Sequence, residues 1–363
     1  MTKNLLFVSI TSICLGVVII GPRTSPVSAQ IERPRTAGTS VTPSPTPTAT
    51  PPKLIDDDEN GVIKVGIELV NLNVRVIDRN NRPINGLQKS DFKIMEDGSE
   101  QQIEFFSKSE VPTNYTLVLD NSGSLRQQLE KVIEAGKILV NSNKPEDETS
   151  IIRFISRDKI TVEQQFTPNK ADLNDTLDNL YIEGGQTAVM DAVYLAVQQT
   201  QEYEKSDKPD DRKRRAIVLV TDGEDRDSYY TEPQLMEMLK ESDVQIFVIG
   251  FVGDLQKEGG FISKSPQQKA KAFLERMATT TGGKSYFPTS VGELPEIARD
   301  LSSELRVQYS IGYLPTNTAG GFKNIKVVVN DGPNKEKRIA ITKSGRNAGP
   351  TPSTALTPPK TNK

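Results

Sequence analysis

The apolar positions of this chain change period twice. Over residues 61–110 they alternate with polar or small ones. Ile63, Val65, Ile67 and Leu69 hold one phase, and Val70, Leu72, Val74 and Val76 hold the other. Strand side chains point to opposite faces in turn, so this one-residue slip predicts a bulge or break near Leu69 and Val70. Asn80-Asn81-Arg82-Pro83 reads as a turn. Residues 92–95, Asp97-Gly98 and residues 103–106 read as strand, tight turn and strand.

From residue 113 to about 300 the pattern is different. Residues 115–119 are apolar almost without a break, as in a strand buried on both faces. Leu125, Leu129, Val132, Ile133, Ile138 and Leu139 then follow a helical period. Further strands are predicted at 151–155, 216–220, 244–249 and 285–287. Helices are predicted at 173–180, 188–197, 235–239, 270–278 and 294–305. Strands alternating with helices at this spacing imply a parallel or mostly parallel sheet covered on both faces.

The pattern returns to β over residues 306–343. Val307, Tyr309, Ile311 and Tyr313 alternate, and residues 325–329, Asn330-Asp331-Gly332 and residues 339–341 read as a hairpin. About five strands before the α/β region and three after it are each too few for an independent core. The expected fold is therefore a doubly wound α/β unit, residues 112–303, inserted into a small β-sandwich-like domain. That domain would be made of residues 56–111 and 304–344.

The chain ends differ from the middle. Lys3 precedes an apolar run over residues 5–20, Pro22 breaks it, and Val27-Ser28-Ala29 follows. This is the pattern of a signal peptide, residues 1–29, cleaved before Gln30. The run is shorter than the ~20 apolar residues of a membrane span, so an uncleaved anchor is the second reading. Lipid modification at Cys14 fits less well, because bulky Ile13 precedes it and the apolar run continues beyond it. Residues 30–55 read as a Pro/Thr/Ser-rich linker containing TSVTPSPTPTATPPK. At ~3.1 Å per residue in polyproline II, that stretch reaches about 45 Å, either as a spacer or as an inert tail. Residues 345–363 share the composition and are expected to be disordered. Secreted, periplasmic or cell-surface location follows from the leader.

Composition removes whole classes of chemistry. Among 363 residues there is no His, which excludes every His-based nucleophile or metal site. The single Cys lies in the segment expected to be removed, so the mature chain has no disulfide or thiolate site. Formal net charge is −3, and loss of residues 1–29 takes Lys3 and Arg23 with no acid, giving about −5. That balance offers nothing to nucleic acid or to an anionic membrane. A membrane is a partner only if the N-terminal segment stays uncleaved.

Candidate chemistry gathers where an open α/β sheet binds ligands, at the carboxyl ends of its strands. One strand ends in Asp120-Asn121-Ser122-Gly123-Ser124 and another in Thr221-Asp222-Gly223. Between them Gly184-Gly185-Gln186-Thr187 opens a helix. Asp120, Asp222, Ser122, Ser124 and Thr187 supply two carboxylates and three hydroxyls, without nitrogen or sulfur. Such a set suits Mg²⁺, or else Mn²⁺ or Ca²⁺. Gly123 lets the chain turn so that both serines point the same way. An octahedral shell stays incomplete, and water or an outside carboxylate can fill it. Each fragment alone is also an ordinary cap or turn; their order at three successive junctions is what points to a metal. Asp191, one helical turn after Thr187, reads equally as support for the site or as a cap. Asp225 and Asp227 read as added charge or as solvated loop, and residues 202–215 as a solvated loop. Tyr229-Tyr230 reads as binding rim or as a partly buried pair.

These motifs resemble the von Willebrand factor A (VWA) domain over roughly residues 112–303, and they match its metal-ion-dependent adhesion site at all five positions. Gly86-Leu87, Asp91-Phe92 and Met95-Glu96-Asp97-Gly98 are similar to a bacterial secreted group of VWA-related proteins. The resemblance implies that Ser122 and Ser124 bind metal directly. It implies that Thr187 and Asp222 exchange between direct and water-mediated contact, and that Asp120 binds through water or orients the serines. A protein partner's Asp or Glu would complete the shell. The expected function is that of an exported, non-enzymatic binding or adhesion protein. Ser122 and Ser124 have no His, and no Lys in the motif loops, to act as base. The alternatives are a structural envelope protein with a vestigial site and a hydrolase using metal-activated water.

Overall fold

All eight residues of β5 (Thr113–Asp120) are buried, because this strand runs through the centre of a six-stranded sheet. The computed structural model describes residues 69–80, 82–108, 111–203, 213–255, 265–317 and 319–348. The expected leader, the linker, the strand phase before Leu69 and most of the 202–215 loop lie outside the described residues.

In chain order the elements are β1 (Val70–Ile77), β2 (Phe92–Glu96), β3 (Ser99–Gln101), β4 (Ile103–Ser107), β5, α1 (Leu129–Asn141), β6 (Glu148–Ser156), β7 (Lys159–Thr167), α2 (Lys170–Asp178) and α3 (Val189–Glu202). Then come β8 (Arg214–Thr221), α4 (Glu232–Glu241), β9 (Gln245–Gly250), α5 (Pro266–Thr280), β10 (Ser285–Tyr286), α6 (Leu294–Arg306), β11 (Tyr309–Tyr313), β12 (Gly321–Val329), β13 (Ile339–Ile341) and β14 (Gly345–Ala348).

The central sheet has the order β10-β9-β8-β5-β6-β7, parallel except for β7. One face buries Val132, Leu139, Leu173, Leu177, Leu294 and Leu301 from α1, α2 and α6. The other buries Val193, Val197, Leu235, Leu239, Leu274 and Met277 from α3, α4 and α5. Helix starts follow local chemistry. Ser265 Oγ accepts from Gln268 N at 3.2 Å ahead of Pro266, and Asn169 Oδ1 accepts from Ala171 N at 3.0 Å.

The flanking β segments build two four-stranded sheets, β13-β1-β11-β4 and β14-β12-β2-β3. Leu72, Val74, Phe92, Ile94, Ile311, Tyr313 and Val327 form their shared core. The α/β unit is thus inserted in a sandwich made by the segments that flank it, residues 70–107 and 309–348.

Four details differ from the reading of the sequence. Strand β7 was not expected; it is a half-exposed edge strand with only Ile160 and Val162 packed against the core. The hairpin expected over residues 325–341 does not form, because β12 pairs with β2 while β13 pairs with β1 in the other sheet. Likewise β2 pairs with β3 across an Asp97-Gly98 turn, and β4 crosses to the opposite sheet to pair with β11. Both turn residues have positive φ, 47° and 82°, as a two-residue hairpin requires. Finally, residues 345–348, expected to be disordered, form β14 against β12.

The sandwich docks at the amino ends of the parallel strands. Arg75 of β1 donates to Glu304 of α6 at 2.7 Å and to the Gly283 carbonyl at 3.0 Å, and both charged side chains are buried. Lys284 pairs with Asp300 at 2.6 Å and Glu304 at 3.1 Å. Arg214, at the start of β8, donates to the Leu305 carbonyl at 2.6 Å. The carboxyl ends, with the candidate site, lie at the opposite edge.

Candidate metal site

The site grows from the register of two adjacent parallel strands. Leu119 of β5 pairs with Val220 of β8, so Asp120 and Thr221 leave the sheet side by side. Thr221 Oγ1 donates to Asp120 Oδ2 at 2.7 Å, and the Ser122 amide donates to Asp120 Oδ1 at 2.9 Å. The chain then enters a short 3₁₀ turn, Gly123–Leu125, whose Leu125 is buried. This turn brings the Ser122 and Ser124 hydroxyls within 2.9 Å of each other.

Asp222 follows Thr221, and its Oδ1 accepts from the Glu224 amide at 2.9 Å. Gly223 has φ +80°, and a Cβ there would stand 2.9 Å from Leu274 Cδ1, so the position needs glycine. Thr187 arrives from the segment before α3. Its carbonyl accepts from the amides of Arg226 at 2.9 Å and Asp227 at 3.2 Å, which joins that segment to the loop after Asp222. The three motifs therefore share one edge of the sheet.

Charge at this edge is out of balance. Asp120 and Asp222 are 3 % and 4 % exposed, and among the described residues neither has a cationic side chain as partner. Burial, and secondarily the facing Asp222, push the Asp120 carboxyl up to about 6. Ionised, the pair favours a positive charge that no side chain among the described residues provides. Two carboxylates with hydroxyls fit a hard divalent cation. Among the described residues no three or more His, Cys, Asp or Glu side chains converge as an ion cage. A cation held here would need the hydroxyls as well as the two carboxylates.

The neighbouring acids are otherwise engaged. Asp191 accepts from the Tyr229 and Tyr230 amides at 2.8 and 2.9 Å and so caps that loop. Asp225 accepts from the Met190 amide at 2.8 Å and the Ser228 hydroxyl at 2.6 Å, at the start of α3. Asp227 pairs with Arg157 at 2.8 Å. Tyr230 is partly buried and stacks on Tyr194 with ring centres 3.9 Å apart, while Tyr229 is exposed. Two contributors were not singled out from sequence. Thr221 was visible only as the residue before Asp222-Gly223, and Asn121 only as the second residue of its motif.

The sequence model of the von Willebrand factor type A domain matches residues 114–300, just over half of the chain. The chain belongs to this family, whose domains commonly bind proteins. It is 37 % identical over 115 residues to the uncharacterized protein sll0103 of Synechocystis sp., an overlap of 31 % of this chain and 26 % of that protein. The chain thus spans about a quarter of the length of that curated relative. Among solved structures, an aerotolerance-related membrane protein from Bacteroides fragilis is 19 % identical, with a TM-score of 0.40, covering 53 % of this chain and 99 % of that one. A von Willebrand factor type A protein from Catenulispora acidiphila is 12 % identical, with a TM-score of 0.44, covering 71 % and 75 %. Among the described residues no helix is long and apolar enough to cross a membrane.

Proposed function

We propose that this is an exported, non-enzymatic binding protein. It holds one divalent cation, Mg²⁺ or else Mn²⁺ or Ca²⁺, through Asp120, Ser122, Ser124, Thr187 and Asp222. Through that cation it engages an Asp or Glu of a partner protein. The observation that carries this reading is the pair of buried carboxylates with no cationic partner among the described residues, set beside two hydroxyls 2.9 Å apart. A cation bound by only two carboxylates still attracts a third, and a charge-assisted contact of that kind is strong. Catalysis by Ser122 or Ser124 is disfavoured because the sequence has no His and the donor loops hold no Lys. Export rests on the leader pattern of residues 1–29.

Titration calorimetry should give about one Mg²⁺ or Mn²⁺ per chain, lost in Asp120→Ala or Asp222→Ala while the circular dichroism spectrum is retained. Identical isotherms for wild type and the double variant would refute the site. Capture from the source cell, with Mg²⁺ and with chelator, should then yield a partner that is released when the metal is removed.

A further inference from the structure

We propose that Asn121 is a positioning residue that sets Thr187 relative to Asp120 and Ser122, and that this clamp makes the site prefer Mg²⁺ to Ca²⁺. The inference rests on the metal site proposed above.

Thr187 is carried by residues 180–188, which contain neither helix nor strand. A segment of that kind owes its position to specific ties rather than to a ladder of hydrogen bonds. Asn121 supplies two of them. Its carbonyl accepts from the Glu183 amide at 3.0 Å, and its side-chain Nδ2 donates to the Tyr181 carbonyl at 2.8 Å. Its own amide donates to the Phe154 carbonyl at 2.9 Å, which pins the residue to the end of β6. Asn121 therefore stands between two donors in sequence and holds the segment that carries a third.

The rest of the segment is braced in the same direction. The Arg153 guanidinium lies over the Tyr181 ring at 4.6 Å, and Lys159 pairs with Glu183. Gly185 lies so close to β6 that a Cβ there would come within 2.4 Å of Ile155 Cγ2. Beyond Thr187, the Arg226 and Asp227 amides hold its carbonyl.

Asn121 is fully buried, and its Oδ1 has no hydrogen-bond partner among the described residues. An orphaned buried oxygen costs stability. The side chain is thus poorly explained as a stabiliser of the core and well explained by the one bond its Nδ2 makes. Mg²⁺ demands near-octahedral donors at about 2.0–2.1 Å, whereas Ca²⁺ accepts six to eight oxygens at about 2.3–2.6 Å in looser arrangements. Loosening Thr187 should therefore penalise Mg²⁺ more than Ca²⁺.

The test is calorimetric titration of the full chain with MgCl₂ and with CaCl₂, for wild type and Asn121→Ala. Losing a residue that orients the ligands typically costs about 10–100-fold in metal affinity. Mg²⁺ affinity should fall within that range, with a clearly smaller fall for Ca²⁺. Gly185→Ala displaces the same segment from the β6 side and should lower the Mg²⁺/Ca²⁺ ratio in the same sense; it decides the matter if Asn121→Ala does not fold. Equal losses for both ions, or no loss, would overturn the positioning role and leave the metal site standing. A wild-type chain that binds neither ion would overturn both.

Discussion

Tyr115 and Asp120 lie on the same strand and are both buried, yet burial has opposite uses in them. The Tyr115 hydroxyl donates to Asn143 Oδ1 at 2.9 Å, and burial pushes the phenol up to about 12. In the unfolded chain it ionises near 10. Between those values the unfolded chain releases a proton that the folded chain keeps. Stability therefore falls as pH rises through 10, by about 2 kcal/mol at pH 12. Tyr115→Phe removes this dependence together with one hydrogen bond worth about 1 kcal/mol. In urea melts wild type should be the more stable at pH 8, and its lead should shrink and reverse towards pH 11. A lead that is constant with pH would show that Tyr115 ionises freely in the folded state. At Asp120 the same desolvation raises the carboxyl, and in the proposed metal role that cost becomes a driving force for a cation.

Elements in this chain are chosen locally and partnered remotely. The Asp97-Gly98 turn fixes the β2–β3 pair, but β4 and β13 leave their nearest sequence neighbours for the other sheet. β14 is held by a buried charge as well as by its ladder. Arg346 binds Glu96 of β2 through Nε at 2.8 Å and Nη2 at 3.1 Å, and the Tyr313 hydroxyl donates to the same carboxylate. The Glu96 side chain is only 2 % exposed, so Arg346→Ala leaves a buried carboxylate short of its cation. Breaking such a pair from one side costs about 3–5 kcal/mol, whereas replacing both partners by apolar residues costs far less. Chemical denaturation should find a loss of that order in Arg346→Ala, largely recovered in the double variant Glu96→Leu/Arg346→Met. A loss within experimental error would mean that the carboxylate is solvated and that β14 is dispensable.

For the whole molecule, the insertion makes the two modules unequal. The α/β unit owns its sheet and both helical layers. Removing the sandwich takes Arg75 from Glu304, but Lys284 still pairs with that carboxylate at 3.1 Å. A fragment of residues 112–306 should therefore melt cooperatively. A fragment of residues 56–110 should not, because both neighbours of β1 and the central neighbour of β2 come from beyond residue 308. Differential scanning calorimetry of the two fragments tests this, and a cooperative transition in residues 56–110 would contradict the shared core.

Much of this could be read from the chain alone. The alternation of strands and helices follows from a period of two giving way to 3.6 and back, a relation among neighbours a few residues apart. Asp120, Ser122, Ser124 and Asp222 were legible as candidates for the same reason, since they follow the ends of apolar strands, and Thr187 was legible from the glycine pair ahead of a helix. β7 was not, because an edge strand needs only one apolar residue in two and Ile160 and Val162 are flanked by Lys159, Glu163, Gln164 and Gln165. Nor were the hydrogen bonds of Asn121 to Tyr181 and Glu183, or the burial of Arg75 against Glu304, 229 positions away. Nothing in a residue's near neighbours distinguishes a solvated charge from a buried pair. That choice depends on which surfaces lose water together, and those surfaces exist only once the elements have packed.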